Sequence, residues 1–303
     1  MSIDILIKKI KEKNNPTVAG LDPLLEYVPR HIIDESFETY GKNLKGAVEA
    51  IYKFNTALID ELSEVVAAVK PQSAYYELYG WQGVEVLDRT IKYAKEKGLY
   101  VIADVKRNDI GSTAKAYAGA YLAGADVDGE TFDTFGADSV TINGYLGTDG
   151  IAPFVSACET HKKSMFVLVK TSNPSSGELQ DKLISGDAVY EVMADMVNKW
   201  GETTIGEYGY SSVGAVVGAT YPEMQKVLRE RMPKAYFLVP GYGAQGAGAK
   251  DIVNAFNKDG LGAVINSSRA IMCAYKKTGD DKDFAKAAKA EAIRMRDEIM
   301  AAI

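Results

Sequence analysis

Short, apolar, β-rich runs alternate with longer amphipathic stretches along nearly the whole chain. The runs fall at 17–21, 65–69, 99–103, 139–142, 165–169, 213–218, 236–239 and 263–265. Helix-like patterns at 44–62, 83–97, 113–122, 188–199, 221–231 and 249–257 separate them. Residues 1–15 alternate Ile and Leu with Lys and read as one more amphipathic helix. Strand–helix alternation implies parallel strands joined by crossovers, and continuously apolar runs suit strands buried on both faces. Eight such units predict an α/β fold of the (β/α)8 TIM-barrel class over residues 1–303, as a single domain. A doubly wound open sheet is the alternative, because counting strands does not prove closure. Two stretches, 71–81 and 173–187, exceed what compact barrel loops need and read as longer loops forming lids or an interface.

The polar residues are arranged in register with these runs. Asp22 follows the first, Lys70 the second, and Asp104 and Lys106 the third. Asn143 follows the fourth, Thr171 and Ser172 the fifth, and Thr220 the sixth. A glycine-rich loop at 241–248 follows the seventh, and Asn266-Ser-Ser-Arg269 the eighth. In a closed barrel these positions converge on the rim where active sites are built.

Composition narrows the picture. A chain of 303 residues with 47% hydrophobic content can bury a substantial core. Its net charge of −6 argues against a nucleic-acid surface. No apolar run reaches the length of a membrane span, and the first residues lack a secretory pattern, so a cytoplasmic protein without a membrane partner is expected. Cys158 and Cys273 match no metal or redox spacing, which suits buried thiols in a reducing compartment. No dinucleotide fingerprint or P-loop is present.

The densest chemistry lies in 102–113, Ile-Ala-Asp-Val-Lys-Arg-Asn-Asp-Ile-Gly-Ser-Thr. Residues two apart on a strand share a face, so Asp104 and Lys106 should point together, with Asp109 in the loop just beyond. Such a cluster holds lysines charged against carboxylates and aims a proton at a substrate. An ordinary surface ion pair is the alternative, and the eight rim residues argue against it. At the other side of the rim, Gly241, Gly243, Gly246 and Gly248 let backbone N–H groups approach an anion, and Arg269 supplies a forked cationic contact. A phosphorylated small molecule is the expected ligand. Both histidines, His31 and His161, read as surface residues. Lys70 and Lys106 already neutralise the nearby acids, so the expected site holds no metal and no cofactor. Asn143 and Ser172 are placed either to reach a ligand's edge or to make loop and capping hydrogen bonds.

Six segments, in order along the chain, resemble the orotidine 5′-phosphate decarboxylase family, most closely its longer bacterial form. They are Gly20-Leu-Asp-Pro23, Val69-Lys-Pro-Gln72, the 103–113 run, Val217-Gly-Ala-Thr-Tyr-Pro222, Val239-Pro-Gly-Tyr-Gly-Ala-Gln-Gly246 and Asn266-Ser-Ser-Arg269. The resemblance implies loss of CO2 from orotidine 5′-monophosphate to give uridine 5′-monophosphate. It implies that Lys106 protonates ring carbon C6, that Asp104 faces the substrate carboxylate, and that Lys70 bridges that acid and the ribose. It further implies that Asp22 holds a ribose hydroxyl, and that Gln245, beside Gly246, grips the phosphate with Arg269. Asp109 and Thr113 would reach the neighbouring chain's site in a homodimer. Mg2+-dependent sugar-phosphate decarboxylases and aldolases share the third-strand element but carry a metal-holding acid where this chain has Lys70. A non-catalytic phosphate-binding barrel would need no Asp104–Lys106 couple.

Overall fold

The structure, a computed structural model, describes every residue except Ala244 and Gln245. Eight parallel strands form a closed ring: β1 (Thr17–Leu21), β2 (Ala68–Pro71), β3 (Tyr100–Arg107), β4 (Ser139–Ile142), β5 (Ser164–Lys170), β6 (Ser211–Val217), β7 (Ala235–Pro240) and β8 (Ala263–Ser267). Each strand pairs with its sequence neighbours, and β8 returns to β1 through Thr17↔Ile265 and Val18↔Asn266. Closure rules out the open sheet and leaves the barrel.

The period-two alternation of each strand sorts its residues into two cores. One set, including Val18, Ile102, Phe166, Leu168 and Leu238, fills the barrel interior. The intervening residues, such as Val69, Val101, Val140 and Val167, face outward beneath the helices. Helix α1 (Ser2–Lys13) turns Ile3, Leu6, Ile7 and Ile10 onto one face, the spacing of adjacent helical turns. That face belongs to the interior core and closes the N-terminal floor of the barrel. The Tyr100 hydroxyl ties it down, bonding Ser2 Oγ at 2.9 Å and Ser164 Oγ at 2.5 Å.

The outer ring comprises α2 (Arg30–Tyr40), α3 (Leu44–Leu62), α4 (Ser73–Glu77), α5 (Gly80–Glu96), α6 (Gly111–Ala118), α7 (Thr148–His161), α8 (Val189–Gly201), α9 (Pro222–Arg231), α10 (Arg269–Met272), α11 (Tyr275–Thr278) and α12 (Phe284–Met300). The predicted helix at 249–257 is replaced by two 3-10 turns, Ala249–Asp251 and Val253–Ala255. The cause is chiefly tertiary: buried Arg229 donates Nε and Nη2 to the Ala255 carbonyl, while locally the Gly248 N–H binds the Asp251 carboxylate. The 71–81 stretch contains α4, whereas 173–187 carries a 3-10 turn and a two-residue hairpin pairing Leu183–Ile184 with Asp187–Ala188. No described helix is long and apolar enough to cross a membrane.

Candidate active site

The inward-facing series of β2 and β3 turns from apolar to polar at the C-terminal rim, giving Lys70 and Asp104, and Thr141 joins them from β4. Asp104 is the hub. Its Oδ2 accepts from Lys70 Nζ at 2.5 Å and Gln72 Nε2 at 3.0 Å. Its Oδ1 accepts from Lys106 Nζ at 2.5 Å and Thr141 Oγ1 at 2.8 Å. Burial by itself pushes the Asp104 carboxyl up, but Lys70 and Lys106 more than offset this and hold it well below the usual carboxylate range. Burial likewise opposes the Lys70 charge, yet Asp104 and Asp22 raise its pKa above the ordinary lysine value. Both ends of the couple stay ionised at neutral pH.

Lys106 reaches Asp104 by a route the alternation did not predict. Its backbone lies in the left-handed region at φ 47°, and pairing of β3 with β4 shifts register between Ala103 and Arg107. The bulge leaves Asp104 buried and the Lys106 side chain 44% exposed. Lys106 is therefore the member of the couple open to a ligand.

A cavity of about 210 Å³ adjoins them, lined by Lys70, Asp104, Lys106 and Thr141 on one side and by Leu168, Val216, Leu238 and Pro240 on the other. Ser172 lines it too. Around the rim, Asp22 Oδ1, Thr220 Oγ1 and Asn266 Oδ1 are buried without a hydrogen-bond partner, acceptors that a hydroxylated ligand would satisfy. Asp22 lies 4.0 Å from the Lys70 ammonium.

The remaining expected residues separate into two groups. Arg269 opens α10 and lines a second cavity, of about 440 Å³, with Tyr242, Gly243, Lys276 and Arg294. Gly243 and Gly246 adopt φ 75° and 88°, conformations open to glycine and costly to other residues. Gln245 lies outside the described residues. Asn143 spends its Oδ1 on the Tyr145 N–H at 3.0 Å, a loop hydrogen bond, and does not line the small cavity. Asp109 also lies away from that cavity, its Oδ1 accepting from the adjacent Ile110 N–H at 2.8 Å. Thr113 is exposed on α6.

Gln72 and Thr141 were given no role by sequence reasoning. The signal was present: both fall on the inward series, Gln72 two residues after Lys70 and Thr141 two after Ser139. Among the described residues, no cluster of three or more His, Cys, Asp or Glu side chains is arranged to hold a metal ion.

A closed eight-stranded barrel with a buried carboxylate paired to two lysines at its C-terminal rim defines a TIM-barrel enzyme. Residues 48–282 match the model of the orotidine 5′-phosphate decarboxylase / HUMPS family. An orotidine 5′-phosphate decarboxylase of Caldicellulosiruptor bescii is 43% identical over 300 residues, covering 99% of this chain and 98% of that protein. One of Rhodopirellula baltica is 43% identical, covering 93% of each. The solved Leishmania donovani OMP decarboxylase superimposes with a TM-score of 0.70 at 30% identity, covering 97% of this chain and 98% of that one. The chain belongs to the orotidine 5′-phosphate decarboxylase family. Its activity is that of a carboxy-lyase of pyrimidine biosynthesis, forming uridine 5′-monophosphate.

Proposed function

We propose that Lys106 performs the proton transfer of this decarboxylation, with residues 1–303 acting as one barrel domain in the cytoplasm and without metal or cofactor. The observation that carries the reading is the Lys70–Asp104–Lys106 array. Asp104 is buried and saturated with donors, both lysines line the cavity, and Lys106 is the exposed one of the two.

With orotidine 5′-monophosphate bound, its C6 carboxylate lies against Asp104 and Lys106. Cleavage of the C6–carboxyl bond leaves its electron pair on C6 and releases CO2. That carbanion lies in the ring plane, with no adjacent carbonyl to accept the charge directly. The Lys106 ammonium stabilises the developing charge and then gives C6 a proton, becoming an amine that solvent reprotonates. Lys70 pins Asp104 and reaches the ribose, and Asp22 takes a ribose hydroxyl. Arg269, Gln245 and the Gly246 backbone hold the phosphate, whose binding energy supports the reactive geometry from a distance. Ser172 serves the pyrimidine edge from the cavity wall, while Asn143 holds its own loop.

The site is completed by a second copy of the chain, with Asp109 and Thr113 reaching the neighbouring site. Support comes from the groove of about 820 Å³ between α6, α7 and the 125–132 hairpin, lined by small residues such as Ala116, Ala120 and Ala123. Exposed Ile110 and Phe132 belong to the same region of the chain. A surface of that kind marks an interaction site.

The direct test follows orotidine 5′-monophosphate by ultraviolet absorbance, with and without chelator. Chelator-insensitive formation of uridine 5′-monophosphate is expected; activity that appears only with Mg2+ overturns the cofactor-free site. Lys106→Ala should lose turnover by at least roughly 1,000-fold while still binding product, a loss of the scale set by general acid–base catalysis plus electrostatic stabilisation. Appreciable turnover in that variant removes Lys106 from the role.

A further inference from the structure

We propose that Thr141 is a positioning residue for this decarboxylation: its hydroxyl locks the Lys106 backbone bulge to the Asp104 carboxylate. The inference rests on the assignment of Asp104 and Lys106 to the reaction. Thr141 is 1% exposed on the inward face of β4. Its Oγ1 accepts from the backbone N–H of Val105 at 3.0 Å and of Lys106 at 3.0 Å. A hydroxyl has two acceptor lone pairs and one proton. With both lone pairs taken by N–H donors, the single proton is left for Asp104 Oδ1, 2.8 Å away.

One oxygen thus ties three points together. The two N–H groups belong to the segment where β3 departs from its register with β4, so they lack ladder partners there. Lys106 is the residue forced into the left-handed region, at φ 47°. The carboxylate that receives the Thr141 proton is the same one that receives the Lys106 ammonium at 2.5 Å. Thr141 therefore sets where the Lys106 stem starts and where its ammonium ends. The methyl group is incidental to these contacts; the hydroxyl makes all three.

Thr141→Val keeps the shape and removes the hydroxyl, while Thr141→Ser keeps the hydroxyl and removes the methyl. Thr141→Val should lower kcat roughly 10- to 100-fold, the loss expected when buried partners of a hydrogen bond are left unmatched. Affinity for uridine 5′-monophosphate, held at the ribose and phosphate, should change less than about threefold on the same scale. Thr141→Ser should recover kcat to within a few-fold of wild type. Thr141→Ala deletes the same hydroxyl with less bulk and carries the comparison if Thr141→Val does not fold. Wild-type kcat in the hydroxyl-free variants, or a Thr141→Ser enzyme as slow as they are, overturns the inference. A wild-type chain that leaves orotidine 5′-monophosphate intact instead removes the assignment on which it rests.

Discussion

Lys106 carries a backbone conformation that costs an L residue about 1–2 kcal/mol, and it does so beside a carboxylate that accepts from four donors. The strain persists because three donors besides Lys106 fix Asp104, and one of them also grips the strained segment. The ion pairs have a pH signature whose direction follows from the shifts. Asp104 is held below its unfolded value of 3.8, so its stabilisation is complete above that region and drains as the pH falls through and beneath it. Lys70 is raised above 10.5, so its contribution is complete below that value and disappears as the pH climbs past the raised one. Asp104→Asn should cost roughly 3–5 kcal/mol at neutral pH, because it leaves Lys70 buried without its partner. Urea denaturation should show that gap narrowing as the pH is lowered from about 5 to about 2; a gap that stays constant contradicts the coupling. At this scale Asp104, Lys106, Lys70 and Asp22 were legible because acids and lysines at strand ends are conspicuous. Thr141 was not, since a threonine inside a β-rich run looks like ordinary strand composition.

At the scale of elements, the strands were the most legible feature. The runs at 17–21 and 139–142 coincide with β1 and β4, the run at 65–69 shares only Ala68 and Val69 with β2, and the others differ mainly at their ends. The 249–257 pattern misled because tertiary hydrogen bonds from Arg229 outcompete a local helix. The stretch after β5 was legible only as excess length, and its organising residue is Lys170, whose side chain is fully buried. The Lys170 ammonium holds Asp181 at 2.6 Å and Ser176 Oγ at 3.2 Å, and sits 4.8 Å from the Tyr221 ring centre. Gln180 closes the base of the loop through the N–H and hydroxyl of Thr171. These contacts pin the segment that carries Ser172 to the cavity wall. Asp181→Asn should destabilise the fold by about 1–3 kcal/mol and speed proteolytic cutting within 173–188. The further change Lys170→Met should recover part of the lost Tm, because an apolar side chain needs no counter-charge. An Asp181→Asn protein with wild-type Tm and cutting rate would falsify the pin.

At the scale of the whole molecule, the proposed sharing of each site between two copies makes a stoichiometric prediction. Lys106→Ala and Asp109→Ala proteins should each be nearly inactive alone. Mixed by unfolding and refolding, half the dimers pair the two variants, and each such dimer has one site with both wild-type residues. Activity should rise to about a quarter of wild type in a random mixture of two-fold dimers; no recovery means that each chain completes its own site. The ring itself has a consequence for synthesis. Thr17 and Ile265, which seal β1 to β8, lie about 250 residues apart in the chain. At about 5–20 residues per second, β1 leaves the ribosome roughly 12 to 50 seconds before its closing partner exists. Throughout that interval the nascent chain displays an unpaired, apolar β-edge, the feature most prone to joining the wrong neighbour. Sealing of the ring therefore has to wait for β8 to emerge, and the slower the chain is made, the longer that edge stays open.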